Sequence, residues 1–477
     1  MLDKLKKLVP LRIFSFLQPS YHFIFSWLAS LVYWFPSRRL IVIGVTGTTG
    51  KTSTVYLTAK MLQAAGYKTG FTSTAIFSDG EKEWLNDRKM TMPGRFFIQK
   101  FLRRMVKNRC RYAIVETTSE GIKQFRHRFI NYDVLLFTSL YPEHIESHGS
   151  FDKYREAKGK LFAHIRYGAI KYVDTDHLVV RPKNAIKKLD LTRIPKTIIV
   201  NGDDDNANYF LNFWSEAKLV YSFNSETSRE FFMKQLNSET TVSDFTCVKG
   251  SDINLSARGI SFKINEQPIN LQILGKFNAA NAAAAYAVGL NQGFSVESIK
   301  FGIEQVKSLA GKLEKVDVGQ NFTVMIDYSF EPRALEKLYE TVQIIPHQRI
   351  LHVIGSTGGG RDKSRRPELG IIAAKNADIV IVTNEDPYDE DPAEIITQVA
   401  HGAQQAGKTP NNDLFKIMDR GEAIKMAINL AQPGDLVLIT GKGAEQYICV
   451  SGGSKIPWDD REATRAALVE KLQVDKG

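Results

Sequence analysis

Cysteine is scarce: Cys110, Cys247 and Cys449 are the only three in 477 residues, far apart and at no metal-ligand spacing. That excludes a disulfide-stapled scaffold and a cysteine-based metal site, and points to a reducing, cytoplasmic compartment. Long apolar runs are also missing. The cleanest, "FIFSWLASLVYWF", has 13 residues, whereas a membrane-spanning helix needs about 20. The first 39 residues lack a small-residue cleavage site, which argues against a secretory signal peptide. There is no internal repeat, no low-complexity tract and no aromatic-basic RNA-binding signature. The net charge of +11 is therefore read toward anionic nucleotides near a negatively charged membrane, and not toward nucleic acid. What remains is ordinary for a globular protein, with 43% hydrophobic and 24% charged residues. The length predicts roughly two to four domains.

Residues 1–39 carry basic ends around an aromatic middle, with Pro19, Tyr21 and His22 breaking the apolar stretch. They read either as an interfacial helix with snorkelling Lys and Arg, or as two short helices packed on the main body. From residue 40 strands and helices alternate. "LIVIGVT", "YAIVETT" and "YDVLLFTSL" are short, β-branched-rich runs that predict buried strands of a mostly parallel sheet. Residues about 218–275 form a smaller β-rich subregion, and "NAANAAAAYAVGLNQG" predicts a helix with a glycine stop. A second series, "FTVMIDY", "RILHVIGS", "ADIVIVTN" and "DLVLITG", follows a hinge at "VKSLAGKLEKV". The predicted class is α/β: a helical N-terminal segment (1–39), a central P-loop-type parallel-sheet domain (40–307) and a Rossmann-like α/β domain (308–477).

The stretch "LIVIGVTGTTGKTST" (40–54) ends an apolar strand in a glycine-flanked loop before a helix. Free backbone N–H groups and the helix dipole make such a terminus a phosphate seat. Lys51 would reach the terminal phosphates, and the Thr52 hydroxyl would ligate Mg²⁺. The strict pattern G-x-x-x-x-G-K-[ST] is not met, because Val45 stands five residues before Gly50. Other polar residues also follow apolar strands: Glu116 in "YAIVETTSEG", and Glu143, His144 and His148 in "LLFTSLYPEHIESHG". Ligands of open α/β sheets bind beyond the carboxyl ends of the strands. A carboxylate and an imidazole there are reasonable donors to a divalent cation.

Nine strings occur in order: "GVTGTTGKT", "VETTSEG", "FTSLYPEHIESHGSFDKYREAKGKLF", "LGKFNAANAAAAYAVG", "VMIDYSFEPRAL", "GSTGGGRDKSRRPELG", "VTNEDPYDEDP", "LITGKGAEQY" and "PWDDREATRAAL". Together they resemble the Mur ligases, most closely the MurE type, from about residue 40 to about 468. The resemblance implies an ATP-dependent amide ligase of peptidoglycan precursor synthesis. A muramoyl-peptide carboxylate would take the γ-phosphate of ATP, and a free amino acid would then attack the acyl phosphate. It implies Gly47, Thr48, Thr49, Gly50, Lys51 and Thr52 on the phosphates, Asn278 and Asn281 beside adenine, Lys312 on ATP in place of the family's Arg, and Asp327 reaching ATP from the C-terminal domain. Thr52, Glu116 and His144 would hold two Mg²⁺ ions. Lys158 would be carbamylated, which turns a cation that repels metal into an anion that supports it. Thr91, Pro93, Thr118 and Arg126 would face the muramoyl-peptide. Arg361, Asp386, Tyr388, Gly441 and Glu445 would line the amino-acid pocket, with Arg361 on the α-carboxylate and Glu445 on the ammonium.

The departures are as informative. Thr49 stands for the usual Asn and Lys312 for an Arg, which keeps the charge but loses the fork. Phe330 and Ala444 each replace a His of the family strings. Tyr388 occupies the place of an Arg that reads the distal carboxylate of diaminopimelate, so the added amino acid stays open: diaminopimelate, lysine or another. Only 39 residues precede the loop strand, and the family's N-terminal uridine-nucleotide domain is not expected among them. A membrane-proximal acceptor would suit that aromatic leader. Two other readings stand beside the leading one: a folylpolyglutamate or cyanophycin synthetase-like ligase, and a non-catalytic ATP-binding partner subunit.

Overall fold

The computed structural model describes residues 11–142, 149–174, 179–180, 191–226, 230, 232 and 244–474. Glu143, His144 and His148 lie outside the described residues.

The chain enters the first sheet through β1 (Ile41–Thr46), β2 (Thr69–Thr72), β3 (Ile76–Ser78), β4 (Glu83–Leu85), β5 (Tyr112–Glu116) and β6 (Val134–Phe137). A small antiparallel sheet of order β8-β7-β9 follows, from β7 (Lys171–Val173), β8 (Val179–Val180) and β9 (Thr192–Ile194). The first sheet then continues with β10 (Thr197–Asn201), β11 (Ala217–Ser222), β12 (Asp244–Ser256), β13 (Gly259–Ile264) and β14 (Gln267–Leu271). Its order is β14-β13-β12-β11-β10-β6-β1-β5-β2-β3-β4. Every pairing from β12 to β2 is parallel, and an antiparallel meander extends each edge. The β-rich subregion is thus one wing of this sheet, joined through the parallel β11–β12 pair.

Because β1 lies between parallel neighbours, it must be apolar on both faces. Ile41, Ile43 and Val45 enter one buried cluster, and Leu40 and Val42 the other. Helices Lys51–Ala64 and Phe277–Asn291 cover the first face, and the alanines 282–285 of the latter are fully buried. Below the strands, Asp133 joins two buried ammoniums, Lys171 at 2.5 Å and Lys196 at 2.8 Å. Burial pulls Lys171 down to about 8 despite that carboxylate.

The second sheet comprises β15 (Glu314–Lys315), β16 (Thr323–Asp327), β17 (Ile350–Ile354), β18 (Ile379–Thr383), β19 (Leu414–Ile417) and β20 (Leu436–Thr440). Its order is β15-β16-β20-β17-β18-β19, parallel except at β15. Arg420 and Asp460, both fully buried, form a two-pronged pair with 2.7 Å contacts that ties helix Asp460–Val474 to the sheet.

Of the two readings of the leader, a single helix forms, Leu11–Val32, and it runs through Pro19. Pro19 removes one backbone bond without ending the helix. Ser26, Ala29 and Ser30 are buried against the first domain, and Ser26 Oγ donates to Phe125 O at 2.9 Å. Phe23, Ile24, Trp27, Leu31 and Trp34 stay exposed. Among the described residues no helix is long and apolar enough to cross a membrane.

Candidate active site

The sheet order reverses at β1, with β5 on one side and β6 on the other, so the carboxyl ends of three strands meet there. Register makes this concrete: Val45 is level with Glu116 and Thr46 with Phe137. The loop leaving β1 turns on Gly47 (φ 155°) and Gly50 (φ 79°). A Cβ at Gly47 would lie 2.0 Å from Thr138 Oγ1, and one at Gly50 would lie 2.5 Å from Asn281 Oδ1. Only glycine permits both the turn and those approaches.

Thr48 Oγ1 lies 3.2 Å from Tyr154 Oη, and Thr49 N donates to Ser139 Oγ at 3.2 Å. Lys51 Nζ folds back onto its own loop, donating to Gly47 O at 3.0 Å and Thr48 O at 2.7 Å. Lys158 Nζ, fully buried on the helix Phe151–His164, donates to the same Gly47 oxygen at 2.8 Å. Thr52 Oγ1 donates to Glu116 Oε2 at 3.0 Å. Thr74, which sequence reasoning missed, grips both Glu116 oxygens, through its amide at 2.8 Å and its hydroxyl at 2.9 Å. Thr91 Oγ1 lies 2.9 Å from that Thr74 hydroxyl. These are hard oxygen donors that fit a Mg²⁺ ion completed by phosphate and water. Among the described residues no three His, Cys, Asp or Glu side chains cluster for a metal.

Asn281 Nδ2 donates to Asn278 Oδ1 at 2.9 Å, and Thr54 Oγ1 donates to Asn281 Oδ1, so the asparagine pair is clamped to the loop helix. From the hinge, Lys312 lies over the Tyr328 ring at 4.6 Å. Loss of hydration lowers its pKa, against the pull of Asp327 and then Glu116, while Lys51 lowers it further. Asp327 ends β16, accepting from Leu313 N at 2.8 Å and from Ser329 N at 2.7 Å. Thr118 caps the helix Ser119–Lys123, accepting from Gly121 N. Arg126 donates to Met92 O, next to the buried Pro93, and so reaches the loop that carries Thr91.

The residues assigned to the amino-acid pocket differ in burial. Asp386, Gly441 and Glu445 come together at the carboxyl ends of β18 and β20. Lys442 Nζ bonds Asp386 Oδ1 at 2.9 Å and Glu445 Oε2 at 2.6 Å. Tyr388 (φ 52°) packs under Gly359, where an added Cβ would lie 2.7 Å from its ring. Arg361 is exposed, and its charge acts on Tyr328, the tyrosine that also feels Glu445 and Asp386. The arginines that turn inward are Arg365, paired with Glu331, and Arg366, bonded to Gln398 and Glu390 at 2.9 Å. Glu385 is fully enclosed. Burial pushes its carboxyl up to about 7, with Arg420 opposing.

The family profile described as the Mur ligase middle domain matches residues 45–192, and that of the Mur ligase, glutamate ligase domain matches residues 311–443. A UDP-N-acetylmuramyl-tripeptide synthetase from Roseiflexus sp. is 33% identical over 451 residues, covering 93% of this chain and 81% of its own length. A UDP-N-acetylmuramoyl-L-alanyl-D-glutamate--2,6-diaminopimelate ligase from Geobacillus kaustophilus is 32% identical over 451 residues, covering 93% and 82%. Among solved structures, a UDP-N-acetylmuramoyl-L-alanyl-D-glutamate--2,6-diaminopimelate ligase aligns with TM-score 0.56 at 23% identity, over 91% of this chain and 79% of its own. A folylpolyglutamate synthase of Mycobacterium tuberculosis complexed with ADP aligns with TM-score 0.59 at 15% identity, over 87% and 91%. The matched domains and relatives place the chain among the ATP-dependent ligases. The chain belongs to the Mur ligase family.

Proposed function

We propose that this protein is an ATP-dependent, ADP-forming amide ligase of the MurE type, adding an amino acid to a muramoyl-peptide in peptidoglycan precursor synthesis. The observation that carries this reading is the Thr52–Glu116 pair beside Lys51 after β1, faced by Lys312 from the hinge and Asp327 from the second sheet. A carboxylate attacking a polyphosphate brings two anions together, and the chemistry is mostly charge management. Lys51 and Lys312 supply mobile and fixed positive charge. Thr52 and Glu116 would hold Mg²⁺, which would neutralise phosphate oxygens.

The acceptor carboxylate oxygen bonds to the γ-phosphorus as the bond to ADP breaks. The amine nitrogen then bonds to the acyl carbon, loses a proton, and phosphate leaves. Thr91, Thr118 and Arg126 orient the acceptor, and Asp386 and Glu445 orient the amine. Lys158, buried against Gly47 O, is our candidate for carbamylation. With ¹³C-labelled CO₂, a carbamate resonance should appear and vanish in Lys158→Arg. ADP release is the decisive assay, with UDP-muramoyl-dipeptide and separate diaminopimelate and lysine. Release that needs both acceptor and amino acid supports the ligase. No release with either amino acid would favour an ATP-binding partner subunit.

We further propose a cytoplasmic protein that touches the inner membrane face. Phe23, Ile24, Trp27 and Trp34 lie exposed on the leader helix and the turn after it, and residues 1–39 hold six basic side chains against one acidic. Such a surface suits anionic lipid headgroups. Wild type should sediment with phosphatidylglycerol vesicles, and the Trp27→Ser/Trp34→Ser variant should stay in the supernatant. Equal sedimentation of both would end this idea.

A further inference from the structure

The amine end of the pocket is already filled from within the chain. Lys89 lies in the loop after β4, at φ 52°. Asn86 pins this loop, its side-chain amide donating to Ser73 O at 3.0 Å, Thr74 O at 3.1 Å and Met90 O at 3.2 Å. From that base Lys89 crosses to the second sheet. Its Nζ lies 2.6 Å from Asp386 Oδ2 and 3.1 Å from Glu445 Oε2, with the lysine side chain only 7% exposed. Burial by itself would lower its pKa, but Glu445 and Asp386 outweigh that and raise it, so the group is a firmly held ammonium.

The four charges have different standing. Lys442 is fully buried and comes from the same loop as Glu445. It neutralises the carboxylates from inside their own domain, and Cys449 N adds a 2.7 Å bond to Asp386 Oδ1. Lys89 arrives from the other domain, on the loop that also bears Thr91 and Pro93. Without it, two carboxylates would share one cation, leaving a seat for a primary ammonium. A cleft of about 610 Å³ is lined by sequence neighbours of the two partners, Leu85 and Asp87 near Lys89 and Gln446 and Tyr447 next to Glu445.

We propose that Lys89 occupies, in cis, the seat of the incoming amino acid's ammonium, so that the amine substrate binds by displacing it. The inference rests on the ligase reading for the pocket's purpose. It makes amine arrival a signal: Lys89 leaves, the 86–93 loop is released, and Thr91 shifts against Thr74, which holds Glu116 at the phosphate loop. A tethered ammonium is an intramolecular competitor at high effective concentration, and a self-occupied site weakens apparent affinity by the fraction of time it is filled.

The probe is n-propylammonium chloride, titrated calorimetrically without ATP. Lys89→Met should bind it at least about tenfold tighter than wild type, and Lys89→Met/Asp386→Asn should lose that gain. Lys89→Arg, which keeps the seat filled, should not gain. Binding to Lys89→Met no tighter than to wild type would overturn the proposal. Should the variants not fold, wild type alone decides. Excess propylammonium should speed amide hydrogen exchange in residues 87–93, and unchanged exchange there refutes displacement. Neither readout needs turnover, so a failed ligase assay and a failed displacement are told apart.

Discussion

The two ends of the candidate site handle charge in opposite ways. At the phosphate loop, Lys51 is bonded to neutral carbonyls of its own turn, and no carboxylate among the described residues ion-pairs with it. At the amine pocket, Asp386 and Glu445 are matched by Lys442 and Lys89. The first end is built from backbone geometry on one rigid strand-loop-helix unit. The second is assembled from side chains of two domains. A cation bound to neutral carbonyls can be drawn off by any strong anion, whereas a filled acidic seat demands exchange of like for like.

Three substitutions sharpen this contrast. The largest effect belongs to Lys442→Met. Removing the inner cation strands buried carboxylates, and urea unfolding at neutral pH should show a loss of about 3–5 kcal/mol. A loss no greater than that of Lys89→Met would mean the two lysines are equivalent and the comparison wrong. Next comes Lys51→Ala. ADP formation should fall about 10²–10³-fold, as when a key charge stabiliser is removed, with the melting temperature held. Unchanged turnover would remove the phosphate loop from the mechanism.

The smallest effect is that of Glu385→Gln. Its carboxyl titrates at about 7 against an ordinary 4.5, because burial disfavours the anion. The fold therefore prefers the proton. The penalty is absent below pH 4.5, grows as pH rises toward 7 and is constant above. Glu385→Gln should be more stable than wild type by roughly 1–3 kcal/mol above pH 7, and equal to it near pH 4.5. A gap that widens toward acid would contradict this.

What sequence could reveal follows from how local each signal is. The strand, loop and helix around Lys51 were legible because β-branched residues, glycines and a lysine follow one another within 15 residues. The Thr52–Glu116 meeting was legible from the family resemblance, and it fits the placement of Thr52 at the start of the loop helix and Glu116 at a strand end, where parallel topology gathers polar groups. The helix Phe277–Asn291 announced itself by its alanines. Lys89, Lys442, Arg365 and Arg366 carried no such mark, since a buried ion pair depends on a partner tens to hundreds of residues away. Arg361 drew attention by standing in the glycine-rich string, and its charge does act on Tyr328, whereas the buried Arg365 and Arg366 one helical turn later drew none. The short strands β2–β4 also escaped notice, being too brief for a period to show. Pro19 left the leader open between one helix and two, and the long helix absorbs it with its flank packed.

Lys312 has a consequence of its own. The joint between the two sheets is not a neutral strap; it brings a poorly hydrated positive group between Asp327, Glu116 and Lys51. Bending at that joint therefore redistributes the local electric field, so posture and field cannot be tuned independently. A substitution chosen to loosen the swing of one half against the other would alter the grip on an anion in the same stroke.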